Sequence, residues 1–204
     1  MSLKSTFKSD LEKEQHLSIL LDGYYKKHLK AYDFERISDF KEQITGVDLI
    51  FTNKTSGKRF YIDEKAQLDY INEELPTFAF ELQYHKNSKS KKGWLFDAGK
   101  KTHFYSLITA IYSDEPEKFT SCKITFVNRE RLVTFLESRN IDEKELEICI
   151  AEHSKKQGKL AIDQLNDRKE GYLYFSSNNK VEKPVNLILK LHFLEQNGVA
   201  KRLI

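Results

Sequence analysis

The feature that most constrains this chain is a pair of apolar runs with a turn between them. Residues 46–53 read Gly-Val-Asp-Leu-Ile-Phe-Thr-Asn, and residues 59–67 read Arg-Phe-Tyr-Ile-Asp-Glu-Lys-Ala-Gln. Lys54-Thr55-Ser56-Gly57-Lys58 lies between them. β-Branched and aromatic residues bounded by small polar residues and glycine predict two strands joined as a β-hairpin. Yet the hairpin carries charge where a half-buried strand seldom tolerates it: Asp48 in the first run, Asp63-Glu64-Lys65 in the second.

Register sharpens the point. A turn centred between residues 55 and 56 sets Asp48 opposite Asp63, and a centre one residue later sets it opposite Lys65. In both cases the two-residue period puts Asp63, Lys65 and Gln67 on one face, with Asp48 across from them. Two carboxylates and a lysine so placed suit a hard cation that keeps several waters and takes substrate phosphate oxygens. The lysine then orients or deprotonates the attacking water, or neutralises charge on the phosphate. The alternative is a cross-strand ion pair of Asp48 and Lys65 on a solvated sheet face. Ile50, Phe60 and Ile62 around these charges argue against it. Glu64 points by alternation to the other face. It is a supporting acid, a partner for a helix lysine, or the mark of a bulge that re-aims the strand.

Gly46-Val47-Asp48, fifteen residues to Asp63, then Asp63-Glu64-Lys65, resembles the PD-(D/E)xK nuclease superfamily. The resemblance covers about residues 10–127: a helix, a hairpin bearing the motif, and later strands. It implies an α/β, restriction-endonuclease-like fold with a mixed central sheet flanked by helices. By position, Asp48 and Asp63 would be metal ligands for Mg²⁺ or Mn²⁺ and Lys65 the catalytic lysine. Gln67 would be the polar residue that follows on the same face. Many members add a glutamate from the first helix, for which Glu14 and Glu12 are the candidates. Val47 stands where the family's proline would be. The triplet alone says little, since Asp39/Lys41, Asp142/Lys144 and Asp167/Lys169 repeat it. Those three lie in helical or polar segments, whereas Asp63/Lys65 lies in a strand preceded by a strand with its own aspartate.

Residues 8–30 show helical spacing in Leu11, Leu17, Leu20, Leu21, Tyr24 and Tyr25. A short helix is expected over 34–43, a third strand over 77–84, a strand or buried helix over 104–112, and a strand over 122–127. Helices are expected over 129–138 and from Asp142, which with Glu145 makes a capping-box start, to about Lys156 before Gly158. A strand is expected over 171–176. Pro184 suits the first turn of a last helix running to about Gln196. Its Leu187, Ile188, Leu191, Phe193 and Leu194 serve core packing by default and a homodimer face as the sharper alternative. The expectation is one domain over 1–204 on a single central sheet, with residues 128–204 as an elaboration.

The chain of 204 residues has a net charge of only +3, which at first argues against nucleic acid. Distribution reverses that reading. Residues 85–103, read as a polar loop, hold Lys86, Lys89, Lys91, Lys92, Lys100 and Lys101 against one acid, Asp97. The local +5 exceeds the whole chain's charge. Such a cluster contacts phosphates with salt-sensitive affinity, and the alternative is a solvated surface. Trp94 beside it stacks on bases or folds into the core. Glu81, on the third strand, enters as a further contributor to the cleft or as part of an exposed face.

Other chemistries find no support. The sequence has no GxGxxG, Walker A, HExxH, CxxC or GxSxG, and its six histidines form no pair at helical spacing. Cys122 and Cys149 read as buried free thiols of a reducing, cytoplasmic setting. No apolar run approaches a membrane span of ~20 residues, and no signal peptide is visible. The reading is a Mg²⁺-dependent nuclease, with DNA more expected than RNA on family frequency. The rival is a non-catalytic nucleic-acid-binding or assembly module that keeps the nuclease fold.

Overall fold

The structure, a computed structural model, describes residues 7–86, 89–115, 118–176 and 182–204, with side chains from Lys13 onward. It is mixed α/β and divides into two compact units. One unit takes Met1–Leu75, Lys101–Val127 and Lys201–Ile204, and the other takes Pro76–Lys100 and Asn128–Ala200. Where one central sheet was expected there are two, because strands expected to extend one sheet pair among themselves.

The first unit opens with α1 (Phe7–His28), β1 (Tyr32–Arg36) and α2 (Phe40–Ile44). The hairpin strands β2 (Leu49–Asn53) and β3 (Arg59–Ala66) follow. A turn of 3₁₀ helix then covers Leu68–Tyr70. Two strands of the second unit, β4 (Thr77–Lys86) and β5 (Lys89–Lys92), intervene before β6 (Phe104–Glu115) and β7 (Lys118–Asn128). The last strand, β11 (Ala200–Arg202), closes the order β1-β2-β3-β6-β7-β11. β1, β2 and β3 are antiparallel neighbours, and β6 lies parallel to β3. Segment 34–43 is thus a strand end and a one-turn helix rather than one helix. Tyr32-Asp33-Phe34-Glu35-Arg36 alternates half-buried and exposed, the period of an edge strand.

Burial of one face of α1 organises this unit. Leu17, Leu21 and Tyr25 pack on Leu49, Phe51, Ile62, Ile108, Ile111 and Ile124. Tyr25 meets Phe34 and Phe51 edge-on at 5.7 and 5.2 Å. Since α1 covers Ile62, Phe60 and Ala66, alternation turns Tyr61, Asp63 and Lys65 to the opposite face of the sheet.

The second unit joins β4 and β5 to β8 (Gly158–Leu160), β9 (Gly171–Phe175) and β10 (Val185–Lys190). Their order is β5-β4-β10-β9-β8, antiparallel throughout. Helices α3 (Arg129–Ser138) and α4 (Glu143–Glu152) begin as the sequence predicts, Asp142 accepting the Glu145 N–H at 2.9 Å. Residues 184–196 differ from expectation: Pro184 precedes strand β10, and only α5 (Leu191–Gln196) is helical. A continuous apolar run satisfies both periods, and pairing to β4 and β9 selects the strand. Leu187, Leu189 and Leu194 are fully buried, so this segment is core.

Gly171 lets β9 and β10 close up. A Cβ there would stand 2.4 Å from the Ile188 carbonyl oxygen and 3.3 Å from Leu165 Cδ1. Gly171→Ala should cost about 2 kcal/mol or more. Urea unfolding with an unchanged slope checks this, and a loss below a few tenths would refute it.

Candidate active site

The hairpin register follows from its turn. Asn53 Oδ1 accepts the N–H groups of Thr55 and Ser56 at 3.0 and 2.9 Å, and Gly57 takes φ 69°. Leu49 then faces Ile62 and Phe51 faces Phe60, the first of the two registers, which sets Asp48 opposite Asp63. Asp48 lies one residue before β2. Its N–H donates to the Ile62 carbonyl and its carbonyl accepts the Ile37 N–H, each at 2.8 Å. Just upstream, Gly46 at φ 78° turns the chain from α2 towards the sheet. Thr102 Oγ1 donates to the Gly46 carbonyl at 2.7 Å and fixes that turn.

Asp63 is 2% exposed. Its Oδ1 accepts Lys65 Nζ at 2.5 Å, while its Oδ2 has no hydrogen-bond partner among the described residues. Asp48 Oδ2 accepts the Glu64 N–H at 2.8 Å. Burial, and next the Asp63 carboxylate, push the Asp48 carboxyl up to about 7, against the pull of Lys65 and the Glu64 amide. Two carboxylates therefore share one half-dry position, with the Lys65 ammonium on Asp63. A buried carboxylate oxygen without a donor is costly and rare. Below its raised value the protonated Asp48 carboxyl can itself donate to Asp63, and above it the pair is left as two adjacent carboxylates.

Glu64 has a defined role that sequence reasoning left open. Its Oε1 accepts the Tyr25 hydroxyl and its Oε2 accepts Arg36 Nη1, both at 2.7 Å. Arg36 Nε also donates to Asp22 at 2.8 Å, and the Tyr25 hydroxyl sits 2.9 Å from Ser106 Oγ. Burial works to lower the Arg36 guanidinium, but Glu64 and Asp22 outweigh it and hold the charge firmly. Burial and then Glu64 raise the Tyr25 hydroxyl well above its ordinary range, so it stays a donor. The cluster anchors Glu64 from α1, β1 and β6, and so fixes the backbone amide that holds Asp48. Tyr25 and Arg36 lie 39 and 28 residues from Glu64 in sequence, and no local pattern connects them.

The remaining candidates are placed as follows. Gln67 follows the end of β3, its N–H donating to the Ile108 carbonyl at 3.0 Å. Glu14 is exposed on α1, the helix that covers the other face, and the Glu12 side chain lies outside the described residues. Among the described residues no three His, Cys, Asp or Glu side chains gather to hold a metal, so Glu14 does not join Asp48 and Asp63 as a third acid. Glu81 belongs to β4 in the second unit, opposite Asn186, and the strand beside β3 is β6 instead. Residues 85–103 are not one loop. β4 runs on to Lys86 and pairs with β5, Lys86 facing Lys89 and Gln83 facing Lys92. Lys86, Lys89, Lys91 and Lys92 are exposed on that hairpin. Lys92 is drawn to Glu143 at 2.5 Å, and Lys101, in the first unit, to Glu42 at 3.0 Å. Lys100 is half-buried in the second unit. Trp94 is half-buried against Phe80, ring centroids 5.5 Å apart, the packing alternative.

Cys122 is buried as expected, but Cys149 is only half-buried. Burial, then Glu64, pushes the Cys122 thiol up to about 12, and burial with Glu152 raises Cys149. Neither is a ready nucleophile. Comparison of the chain with family models, with curated proteins and with solved structures gives no match in any of the three. Among the described residues no helix is long and apolar enough to cross a membrane.

Proposed function

We propose that this chain is a metal-dependent nuclease of the PD-(D/E)xK type, with a restriction-endonuclease-like first unit, acting on phosphodiester bonds in DNA more than RNA. One observation carries the reading: Asp48 and Asp63 stand together on adjacent strands, with Lys65 on one oxygen of Asp63 and a buried oxygen beside it without a partner. Asp48 and Asp63 are the residues that would hold Mg²⁺ or Mn²⁺, with waters and phosphate oxygens completing the ligands. Such an ion, when bound, supplies stabilisation of charge developing on the phosphate. Lys65 is 30% exposed, so its ammonium reaches both Asp63 and an incoming phosphate or water. The Glu64 amide keeps Asp48 aimed at the same point. Lys86, Lys89, Lys91, Lys92, Lys100 and Lys101 supply backbone affinity in this reading. The two unpaired cysteines fit a cytoplasmic, reducing setting.

The rival reading, a nucleic-acid-binding module without catalysis, has one observation in its favour: no third acid joins the pair among the described residues. A single assay separates the two. Purified protein is incubated with plasmid and with single-stranded DNA, in Mg²⁺, Mn²⁺ or EDTA, beside Asp63→Ala and Lys65→Ala. The proposal expects cleavage that needs the metal and disappears in both variants. Cleavage persisting in both would refute the site, and salt-sensitive binding without any cleavage would favour the rival.

A further inference from the structure

A second segment adjoins the carboxylates in the first unit, and of its residues sequence reasoning gave a role to Lys101 alone, as a phosphate contact. Lys101, Thr102 and His103 run into β6 beside β3. The Lys101 N–H donates to the Thr45 carbonyl at 2.8 Å, and Thr102 Oγ1 donates to the Gly46 carbonyl at 2.7 Å. Both bonds tie this segment to the turn that delivers Asp48. The His103 N–H donates to the Tyr61 carbonyl at 2.9 Å. Tyr61 stands two residues before Asp63 on the same strand face, about 6.6 Å along an extended strand.

The ring of His103 is held in one state. Its Nδ1 accepts the Tyr61 N–H at 3.0 Å, so Nδ1 carries no proton and the neutral ring keeps its proton on Nε2. The imidazole lies flat on the Tyr61 ring, centroids 4.9 Å apart and planes within 9°. Tautomer and tilt are both fixed, yet the residue is exposed and Nε2 has no protein partner among the described residues. A surface histidine with nothing to do would not need either constraint. This one presents an oriented N–H donor beside the carboxylates, on the face that α1 leaves open.

We infer that His103 is a substrate-binding residue, its Nε2–H donating to a phosphate oxygen of the nucleic-acid strand next to the one at Asp48 and Asp63. The inference rests on the nuclease reading and extends it by naming where the backbone is gripped. Tyr61 is the positioning residue, through its ring and its backbone N–H. A donor on a ring held flat against Tyr61 adds direction, whereas a lysine on a flexible stem adds mainly attraction.

The test compares His103→Phe, which keeps the flat ring on Tyr61 but loses both the Nε2–H donor and the Nδ1 acceptor of the Tyr61 N–H, with His103→Gln, whose amide offers an N–H and an acceptor. Binding of a short fluorescein-labelled duplex and its single strand is read by anisotropy, and cleavage in Mg²⁺ gives KM and kcat. His103→Phe should weaken binding and raise KM about tenfold, leave kcat within about twofold, and His103→Gln should recover most of the loss. Nitrogen chemical shifts of wild-type His103 should report the Nε2–H tautomer. Wild-type affinity in His103→Phe, or the Nδ1–H tautomer, would overturn the assignment while leaving the nuclease reading intact. A wild-type protein that binds neither strand form would overturn both.

Discussion

Asp48→Asn should give a protein that withstands more urea than the wild type at pH 8 and no longer cleaves nucleic acid. The reason is the environment of Asp48. Its carboxyl titrates at about 7 in the folded protein, burial first and Asp63 second, and near ~3.9 in the unfolded chain. The folded state therefore holds this proton more tightly. That contribution to stability is complete below about pH 4 and is lost as pH rises through about 7. A rise of that size corresponds to a loss on the order of 2–4 kcal/mol at pH 8. Asparagine escapes it. Its amide oxygen accepts the Glu64 N–H as Asp48 does, and its NH₂ offers the missing donor to Asp63 Oδ2. Below about pH 4, where the carboxyl holds its proton in both the folded and the unfolded wild type, the two proteins should differ little. Mg²⁺ should restore about 1 kcal/mol to the wild type at pH 8 and nothing to the variant, by binding only the folded state. Equal stabilities at both pH values would refute this account. Residual cleavage above about one thousandth of wild type would remove Asp48 from the catalytic set.

Arg36→Met should cost about 2–4 kcal/mol, more than its position on an edge strand suggests. It leaves Glu64, 14% exposed, without the cation on its Oε2, and leaves Asp22 without its partner. Removing both charges, with Arg36→Met and Glu64→Gln together, should recover at least about half of that loss, because the introduced amide oxygen still accepts from the Tyr25 hydroxyl. Urea unfolding of the four proteins of the cycle gives the coupling. Simple additivity would mean that Arg36 acts by packing alone. The same pair tests the link to function. Loosening Glu64 frees the amide that holds Asp48, so cleavage by Arg36→Met should fall about tenfold even where the protein is fully folded. Unchanged cleavage would leave the cluster a purely structural role.

The parts of the site that were legible in the sequence are those governed by near neighbours. Asp48, Asp63 and Lys65 sit on one hairpin, and Asn53 and Gly57 in its turn select the register that joins them. The helix start at Asp142 was equally local. What sequence could not supply was distant pairing. Thr77–Tyr84 looks like the next strand of the hairpin's sheet, but the strand that forms there pairs with β10 and β5. Glu64 looked misplaced until Arg36 and Tyr25 came to it from β1 and α1. The lysine run kept its charge and changed its shape, because alternating Lys89-Ser90-Lys91-Lys92 pairs as readily as it loops.

The order in which the ribosome delivers the strands has a cost of its own. β4 appears early, yet the strand that covers its second edge, β10, is made only after residues 93–184. During that interval the β4–β5 hairpin exposes an open row of backbone donors and acceptors, a template for joining other chains. Four lysines on it, Lys86, Lys89, Lys91 and Lys92, repel a second copy laid alongside. The same charges that would draw a polyanion to the finished protein thus also guard the unfinished one. The interleaving also means that no cut in the chain separates the two units. A fragment ending at Val127 keeps the candidate site but leaves β4 paired with β5 alone and without β10 on its other edge, so trimming this protein to the part that bears the candidate site should yield aggregates where the full chain does not.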